Sequence, residues 1–264
     1  MKAVRISDLQ NKKNKSEPIA MLTCYDAMFA KIVDSSGVDA VLVGDSLGMV
    51  IQGHATTLPV TLEDIIYHTR MVARGVLRAH IVADMPFMSY QHDTKDAMLN
   101  AAKLIVAGAH SVKLEGGMRI QETVLRMTES GIPVMAHIGL TGQSVHALSG
   151  FRMQGKTDET KKRILEDALA LQEAGAYAIV LECIPALLAQ EITQILKIPT
   201  IGIGAGPSCD GQILVLYDML NLDPTWKPKF VKTYLNGGAL IQQACEVYVT
   251  EVRHRLYPGE EHST

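Results

Sequence analysis

The sequence has little cysteine and almost no net charge, and each shortage argues against a class of protein. Its four cysteines lie far apart and form no CxxC pair, so we expect neither a disulfide framework nor a zinc site, as in a cytoplasmic protein. The formal net charge of −3 gives no electrostatic basis for binding nucleic acid. No apolar run approaches the ~20 residues that span a bilayer, so we expect no membrane anchor.

The chain also lacks linkers rich in proline or serine and segments of low complexity. Its 264 residues are enough for one large domain or two small ones. Without a visible boundary, we predict one domain over residues 1–264, in which about residues 1–18 form a short N-terminal helical extension.

A weak internal repeat is the main feature that is present. It occurs as SSGVDAVLVGD, VAGAHSVKLEG, ESGIPVMAHIG and EAGAYAIVLEC. In each copy a glycine follows a helix-period segment and suits the left-handed position that ends a helix. The apolar run after it is short and rich in Val, Ile, Leu and Ala, as in strands buried on both faces. Helix, glycine and buried strand in succession indicate parallel β/α units.

Eight segments have the composition of such strands. They are residues 19–25, 39–45, 80–85, 110–116, 133–139, 177–183, 199–206 and 212–218. Helical periodicity lies between most of them, and Thr61 with Asp64 has the spacing of a capping box. We therefore predict an α/β protein with a (β/α)8 TIM barrel. The alternative is a doubly wound open sheet. The lack of a GxGxxG motif after the first strand argues against it.

Ionisable residues follow the apolar runs where the predicted strands end. They are Asp45, Asp84, Glu115, His137 and Glu182. Since barrel enzymes carry their active residues at the C-terminal ends of the strands, we expect these side chains to converge at one mouth. Lys113, two residues before Glu115, shares its face and points into the barrel. It either forms a structural pair with Glu115 or receives a substrate carboxylate.

Three of these side chains are carboxylates without a nearby cysteine, which favours a hard cation such as Mg²⁺. Asp45 and Asp84 are the candidates for direct ligands, with Glu115 binding directly or through water. Zinc is disfavoured because no HExxH spacing occurs. Glu182 is a candidate general base, and the alternative is a pair with an Arg or Lys. Residues 201–207, IGIGAGP, either bind phosphate or allow close packing.

Several longer motifs together resemble one known family. They include LVGDSLGMVIQGHATTLPVT, ADMPFMSY, VKLEGG, HIGLTGQSV, LECIP and IPTIGIGAGPSCDGQILV. This pattern is similar to the ketopantoate hydroxymethyltransferase family from about Ile19 to the C-terminus. The resemblance implies a metal-dependent barrel of the phosphoenolpyruvate/pyruvate-like type. It further implies transfer of a one-carbon unit from 5,10-methylenetetrahydrofolate to 3-methyl-2-oxobutanoate, which gives ketopantoate for pantothenate and coenzyme A synthesis.

The resemblance also assigns roles by motif. It implies one Mg²⁺ per subunit, served by Asp45, Asp84 and Glu115. Contacts to the keto acid are implied for Asp45, Ser46, Asp84 and Lys113.

The catalytic roles and the assembly are implied in the same way. Glu182 of LECIP is the implied proton acceptor, and His137 of AHIGL lies near the reacting centre. The keto acid and the folate are the implied small-molecule partners. Family members are ring-like homodecamers, which implies a homo-oligomer here. Residues 238–257 are amphipathic enough for an interface, and packing on the chain's own barrel is the alternative.

Two departures from the family pattern lie in the loop after the fifth predicted strand. Gly142 stands where the family usually has proline, and Ser149 stands where it often has glycine. Two rival functions remain open. A Mg²⁺-dependent aldolase or lyase would use the same strand-end carboxylates, and a non-catalytic binding protein would keep the barrel alone.

Overall fold

The computed structural model describes residues 2–263 and contains a closed barrel of eight parallel strands. The strands are β1 (Ile19–Thr23), β2 (Ala40–Val43), β3 (His80–Asp84), β4 (Ser111–Glu115), β5 (Val134–Gly139), β6 (Ala178–Glu182), β7 (Thr200–Ile203) and β8 (Gly211–Leu214). They pair in chain order, and β8 closes on β1. The predicted (β/α)8 class and all eight strand positions are thereby confirmed.

Eight helices belong to the compact unit that ends at Leu214. They are α1 (Ile6–Asn14), α2 (Ala27–Ser35), α3 (Leu47–Val50), α4 (Leu62–Gly75), α5 (Thr94–Val106), α6 (Gln121–Glu129), α7 (Asp158–Glu173) and α8 (Ala186–Ile195). Helix α4 begins with the predicted capping box, in which Thr61 and Asp64 each accept the other's backbone N–H. Helix α1 lies within the predicted N-terminal extension and inserts Leu9 into the barrel core.

One predicted β/α unit lacks its helix. In the described chain, residues 204–210 connect β7 to β8 without a helix. Glycine allows this short connection to pack closely. A Cβ on Gly206 would lie 2.5 Å from Ala186 Cβ, and one on Gly211 would lie 2.5 Å from Ile19 O. These contacts support close packing as the reason for the glycine-rich segment.

The predicted eighth strand was too long. Strand β8 ends at Leu214, and part of the remainder forms the short helix α9 (Leu216–Met219). The apolar run was misleading because a short run of Leu, Val and Tyr suits a buried helical turn as well as a strand.

The barrel interior is apolar over most of its depth. The apolar residues that share this core are Leu9, Ile19, Met21, Ala40, Leu42, Val82, Met135, Ala178, Val180, Ile201, Ile203 and Ile213. Because alternate residues of a strand face the same side, residues two positions further along these strands also point inward, near the C-terminal mouth.

A second compact unit begins at Val215 and contains α9 and α10 (Gly237–Arg253). Helix α10 buries only Gly237, while Leu240, Ile241, Val247 and Tyr248 are each more than half exposed.

The single domain and the homo-oligomer stay predictions. Light scattering would test the homo-oligomer. Among residues 2–263, every helix is too short or too polar to traverse a lipid bilayer.

A buried histidine makes the stability of the barrel dependent on pH. His80 begins β3, and its Nε2 lies 2.9 Å from Ser111 Oγ. Burial, together with the nearby His110, lowers the pKa of His80 to about 4. The folded chain therefore keeps His80 neutral, while the unfolded chain protonates it below its ordinary pKa of about 6.5. This contribution to stability is present above about pH 6.5 and is lost as the pH falls towards 4.

The variant His80→Gln places an amide nitrogen where Nε2 lies and removes the titration. Between pH 7.5 and 5, we expect wild type to lose about 2 kcal/mol of unfolding free energy more than the variant. Denaturant titrations at the two pH values measure the difference. Equal losses in both proteins would show that protonation of His80 is not the cause.

Candidate active site

Three inward-facing ionisable residues follow apolar residues of the barrel interior by two positions. They are Asp84 after Val82, His137 after Met135, and Glu182 after Val180. Strand register brings their neighbours alongside, since Lys113 pairs with Asp84 and Glu115 pairs with His137. The same alternation that fills the lower barrel with apolar side chains thus gives its mouth a charged layer.

Lys113 is the cation at the centre of this layer and is 4% exposed. Its Nζ lies 2.7 and 2.8 Å from the two oxygens of Asp84 and 3.5 Å from Glu115 Oε1. Burial would lower the pKa of Lys113, but the surrounding carboxylates outweigh it and raise that pKa. The predicted pair with Glu115 is present, although Asp84 is the closer partner.

Asp45 and Ser46 reach the site from the turn between β2 and α3. The Asp45 backbone N–H donates to Asp84 Oδ2 at 3.1 Å, so the two aspartates are adjacent. Burial, followed by the charges of Asp84 and Glu115, raises the pKa of Asp45. Ser46 Oγ lies 2.8 Å from the hydroxyl of Tyr25, a residue that follows β1.

His137 lies between two carboxylates. Its Nδ1 is 3.2 Å from Glu115 Oε1, and its Nε2 is 3.1 Å from Glu182 Oε2. Neither nitrogen has a hydrogen-bond partner of good geometry, and both contacts are ion pairs when the imidazole is protonated. Burial and Lys113 would lower the pKa of His137, but the two glutamates raise it to about 9. Burial would raise the pKa of Glu115, but Lys113 and His137 lower it to about 2.

Glu182 lies at the edge of the charged layer, and its carboxylate is more accessible to solvent than that of Glu115. Its side chain is 26% exposed, against 5% for Glu115. The next residue, Cys183, has a left-handed φ of 46°, which turns the chain sharply after the strand. The alternative to a general base was a pair with an Arg or Lys, but the ion-pair partner of Glu182 is His137.

Gly139 at the end of β5 allows the backbone of Glu182 to approach. Its φ is +97°, and a Cβ there would lie 2.2 Å from Glu182 O. In the variant Gly139→Ala we expect a displaced Glu182 and a loss of activity of about 10²-fold, since about 1 Å of misplacement has that effect. Steady-state kinetics measure it.

Gly131→Ala is the matched control for Gly139→Ala. Gly131 has a φ of +82°, but nothing lies within 4 Å of its added Cβ. This variant should lose about 1–2 kcal/mol of stability to backbone strain and keep its activity. Equal activity loss in both variants would mean that strain alone, and not the position of Glu182, is responsible.

The chemistry of the cluster fits a divalent cation with oxygen ligands. Asp45, Asp84 and Glu115 are buried, and carboxylates outnumber cationic groups even when His137 is protonated. Within residues 2–263, no group of three or more His, Cys, Asp or Glu side chains stands ready-made around a metal position. In this arrangement the Lys113 ammonium donates to both oxygens of Asp84.

The structure brings together six of the seven site residues predicted from sequence, while the seventh, Ser46, follows Asp45 in the chain and has its hydroxyl on Tyr25. It also adds Gln143 and Tyr90, which the sequence reasoning missed. Both are buried and form hydrogen bonds within the cluster. Both lie within quoted motifs, Tyr90 in ADMPFMSY and Gln143 in HIGLTGQSV, but these motifs alone did not indicate which of their residues face the site.

A closed parallel barrel with carboxylates, a lysine and a histidine at its C-terminal mouth defines a (β/α)8-barrel enzyme. A family model described as ketopantoate hydroxymethyltransferase matches residues 3–260. The chain belongs to this family, and it is an enzyme of the hydroxymethyltransferase class.

Curated relatives agree over the whole chain. The 3-methyl-2-oxobutanoate hydroxymethyltransferase of Magnetococcus marinus is 56% identical over 263 residues, covering 99% of this chain and 98% of that protein. The enzyme of the same name from Geobacter sulfurreducens is 52% identical with the same coverage. These identities extend the predicted resemblance from motifs to the entire sequence.

Solved structures with the same architecture are more distant in sequence. Phosphonopyruvate hydrolase, in complex with oxalate and Mg²⁺, superposes with a TM-score of 0.65 at 12% identity, covering 98% of this chain and 93% of that chain. A 2,3-dimethylmalate lyase of the PEP mutase/isocitrate lyase superfamily gives a TM-score of 0.64 at 16% identity, with 100% and 90% coverage. They confirm the predicted (β/α)8 barrel fold.

Proposed function

We propose that this chain transfers a hydroxymethyl unit from 5,10-methylenetetrahydrofolate to 3-methyl-2-oxobutanoate and so forms ketopantoate for pantothenate and coenzyme A synthesis. The observation that carries the proposal is the charged layer at the barrel mouth, where Lys113, three buried carboxylates and Glu182 converge. Whole-chain similarity to relatives that bear this activity in their names supports it.

The substrate acid meets a cation and a hydroxyl in this site. Lys113 and Ser46 bind its carboxylate end, and Asp45 and Asp84 also contact the acid. Asp45, Asp84 and Glu115 would hold one Mg²⁺ per subunit. When bound, Mg²⁺ supplies Lewis acidity that stabilises negative charge on the keto oxygen.

Glu182 is the proposed base. It accepts the proton from C3 of the keto acid, and the enolate carbon then forms a bond to the methylene carbon carried by the folate. Both C–N bonds that join this carbon to the folate break, the first as the C–C bond forms and the second as water supplies the hydroxyl group of the product. The two folate nitrogens take up the C3 proton from Glu182 and one proton from water. His137, 3.1 Å from Glu182, balances the charge of this carboxylate before it takes up the proton.

Product analysis tests the proposed function against the rival aldolase or lyase. Purified enzyme receives the keto acid, Mg²⁺ and methylenetetrahydrofolate with a ¹³C-labelled methylene carbon. We expect ketopantoate labelled at its hydroxymethyl carbon. In a parallel assay with 2,3-dimethylmalate as substrate, cleavage without labelled ketopantoate in the first assay would instead support a lyase. The absence of both reactions would support a non-catalytic binding protein.

A further inference from the structure

Gln143 lies in the loop after β5, where it is buried at the centre of the carboxylate cluster. Its backbone N–H donates to Glu115 Oε2 at 3.0 Å, and its side-chain Nε2 donates to Asp45 Oδ2 at 3.2 Å. One residue therefore binds two of the carboxylates that we assign to the cation.

The amide of Gln143 has only one acceptable orientation. Its Oε1 accepts from the Tyr90 hydroxyl at 2.9 Å and from Gln91 Nε2 at 2.8 Å. Its Nε2 donates a second hydrogen bond to the carbonyl of Met85 at 2.8 Å. Rotating the amide by half a turn would set its N–H groups against the Gln91 donor and its oxygen against Asp45 and Met85.

Tyr90 connects this amide to the end of β4. Its hydroxyl accepts the backbone N–H of Glu115 at 2.9 Å and lies 2.8 Å from the Glu115 carbonyl. The orientation of Gln143 is thus fixed from the same strand end that carries the Glu115 carboxylate. Hydrogen-bonded partners of this kind typically set the orientation of metal ligands.

A neutral donor suits this position better than a charged one. A lysine or arginine would supply the hydrogen bonds but would also neutralise the charge that attracts a cation, and a glutamate would repel Asp45. The amide stabilises the buried Asp45 carboxylate and leaves the negative charge of the cluster unchanged.

We propose that Gln143 is a positioning residue that holds the Asp45 and Glu115 carboxylates for a divalent cation, with its own amide held by Tyr90 and Gln91. The inference rests on the proposed function, because the cation is the one that function requires. It assigns a role to the loop after β5. A Cβ added to Gly142 in this loop would lie 3.4 Å from Thr57 Oγ1, an ordinary van der Waals contact.

The test measures Mg²⁺ binding to the folded protein by isothermal titration calorimetry. Gln143→Met keeps the length of the side chain and the backbone N–H but removes the amide. We expect Mg²⁺ affinity to fall by about 10- to 100-fold, the range found when partners of metal ligands are removed. Saturating Mg²⁺ should restore most of the C3 proton exchange, which a general packing defect would not allow.

Gln10→Met is the matched control, because the Gln10 amide donates to Asn14 Oδ1 and to the Lys197 carbonyl and to none of the three carboxylates. We expect its Mg²⁺ affinity to change by less than about threefold. If Gln143→Met does not fold, Gln143→Asn replaces it in the test. Its amide is one methylene too short to reach Asp45, so we expect the same loss of Mg²⁺ affinity.

The outcomes separate the inference from the function. If wild type binds Mg²⁺ and exchanges the C3 proton while both Gln143 variants bind Mg²⁺ as tightly, the inference is wrong and the proposed function stands. If wild type neither binds Mg²⁺ nor exchanges the proton, the proposed function is wrong, and the inference that rests on it is wrong as well.

Discussion

Replacing Glu182 by glutamine should lower the rate of hydroxymethyl transfer by about 10²–10⁴-fold, the usual contribution of one positioned base. Glutamine keeps the shape of the side chain but cannot take up the proton from C3. Binding of the keto acid should persist, because Lys113 and the aspartates, rather than Glu182, contact it. Steady-state kinetics and calorimetric titration with the keto acid measure the two effects separately.

Glu191→Gln is the control for this variant, since Glu191 is exposed on α8 and takes no part in the site. It should retain full activity. A Glu182→Gln enzyme with wild-type turnover would rule out Glu182 as the base and direct attention to His137, its neighbour at 3.1 Å.

Replacing Lys113 by methionine should remove about 3–5 kcal/mol of unfolding free energy, as expected when one partner of a buried ion pair is lost. Asp84 and Glu115 would remain buried without their ammonium partner. The deficit should shrink as the pH falls, because protonation of the unpaired carboxylates removes the buried charge. Denaturant titrations at pH 7.5 and pH 5 measure both effects.

Lys162→Met on α7 is the surface counterpart. Lys162 is 79% exposed and lies 3.8 Å from Glu166, so we expect a change of about 0.5 kcal/mol or less at either pH. Added Mg²⁺ should recover part of the stability of Lys113→Met, since a cation bound to the carboxylates replaces the missing charge. Equal stability of Lys113→Met and wild type would mean that the carboxylates are already neutral in the folded chain.

The barrel and its charged mouth were predictable because both follow from short periodicities. Apolar runs that end in Asp84, Glu115, His137 and Glu182 identify buried parallel strands, and parallel strands place their ends at one edge. The two-residue spacing of Lys113 and Glu115 likewise predicted their shared face, which the 3.5 Å contact confirms.

Other parts depended on tertiary contacts that no local pattern carries. The missing helix before β8 results from how closely Gly206 and Gly211 approach their neighbours. The closest partner of Lys113, Asp84, lies on the adjacent strand 29 positions away, and only register brings the two together. Gln143 was not predicted because its importance comes from burial between two carboxylates.

The backbone conformation of the loop after β5 was likewise not predicted from the sequence. Ser149 adopts a left-handed φ of 59°, a conformation that glycine takes without strain. Serine at this position therefore adds backbone strain at an exposed turn.

Deuterium incorporation at C3 of 3-methyl-2-oxobutanoate tests most directly whether this acidic mouth activates a keto acid through a bound cation. The enzyme is incubated in D₂O without folate, first with Mg²⁺, then after chelation, then with Mg²⁺ restored, and exchange is followed by NMR. We expect exchange with Mg²⁺, its loss on chelation and its return. Exchange that continues unchanged after complete removal of the metal would contradict this role.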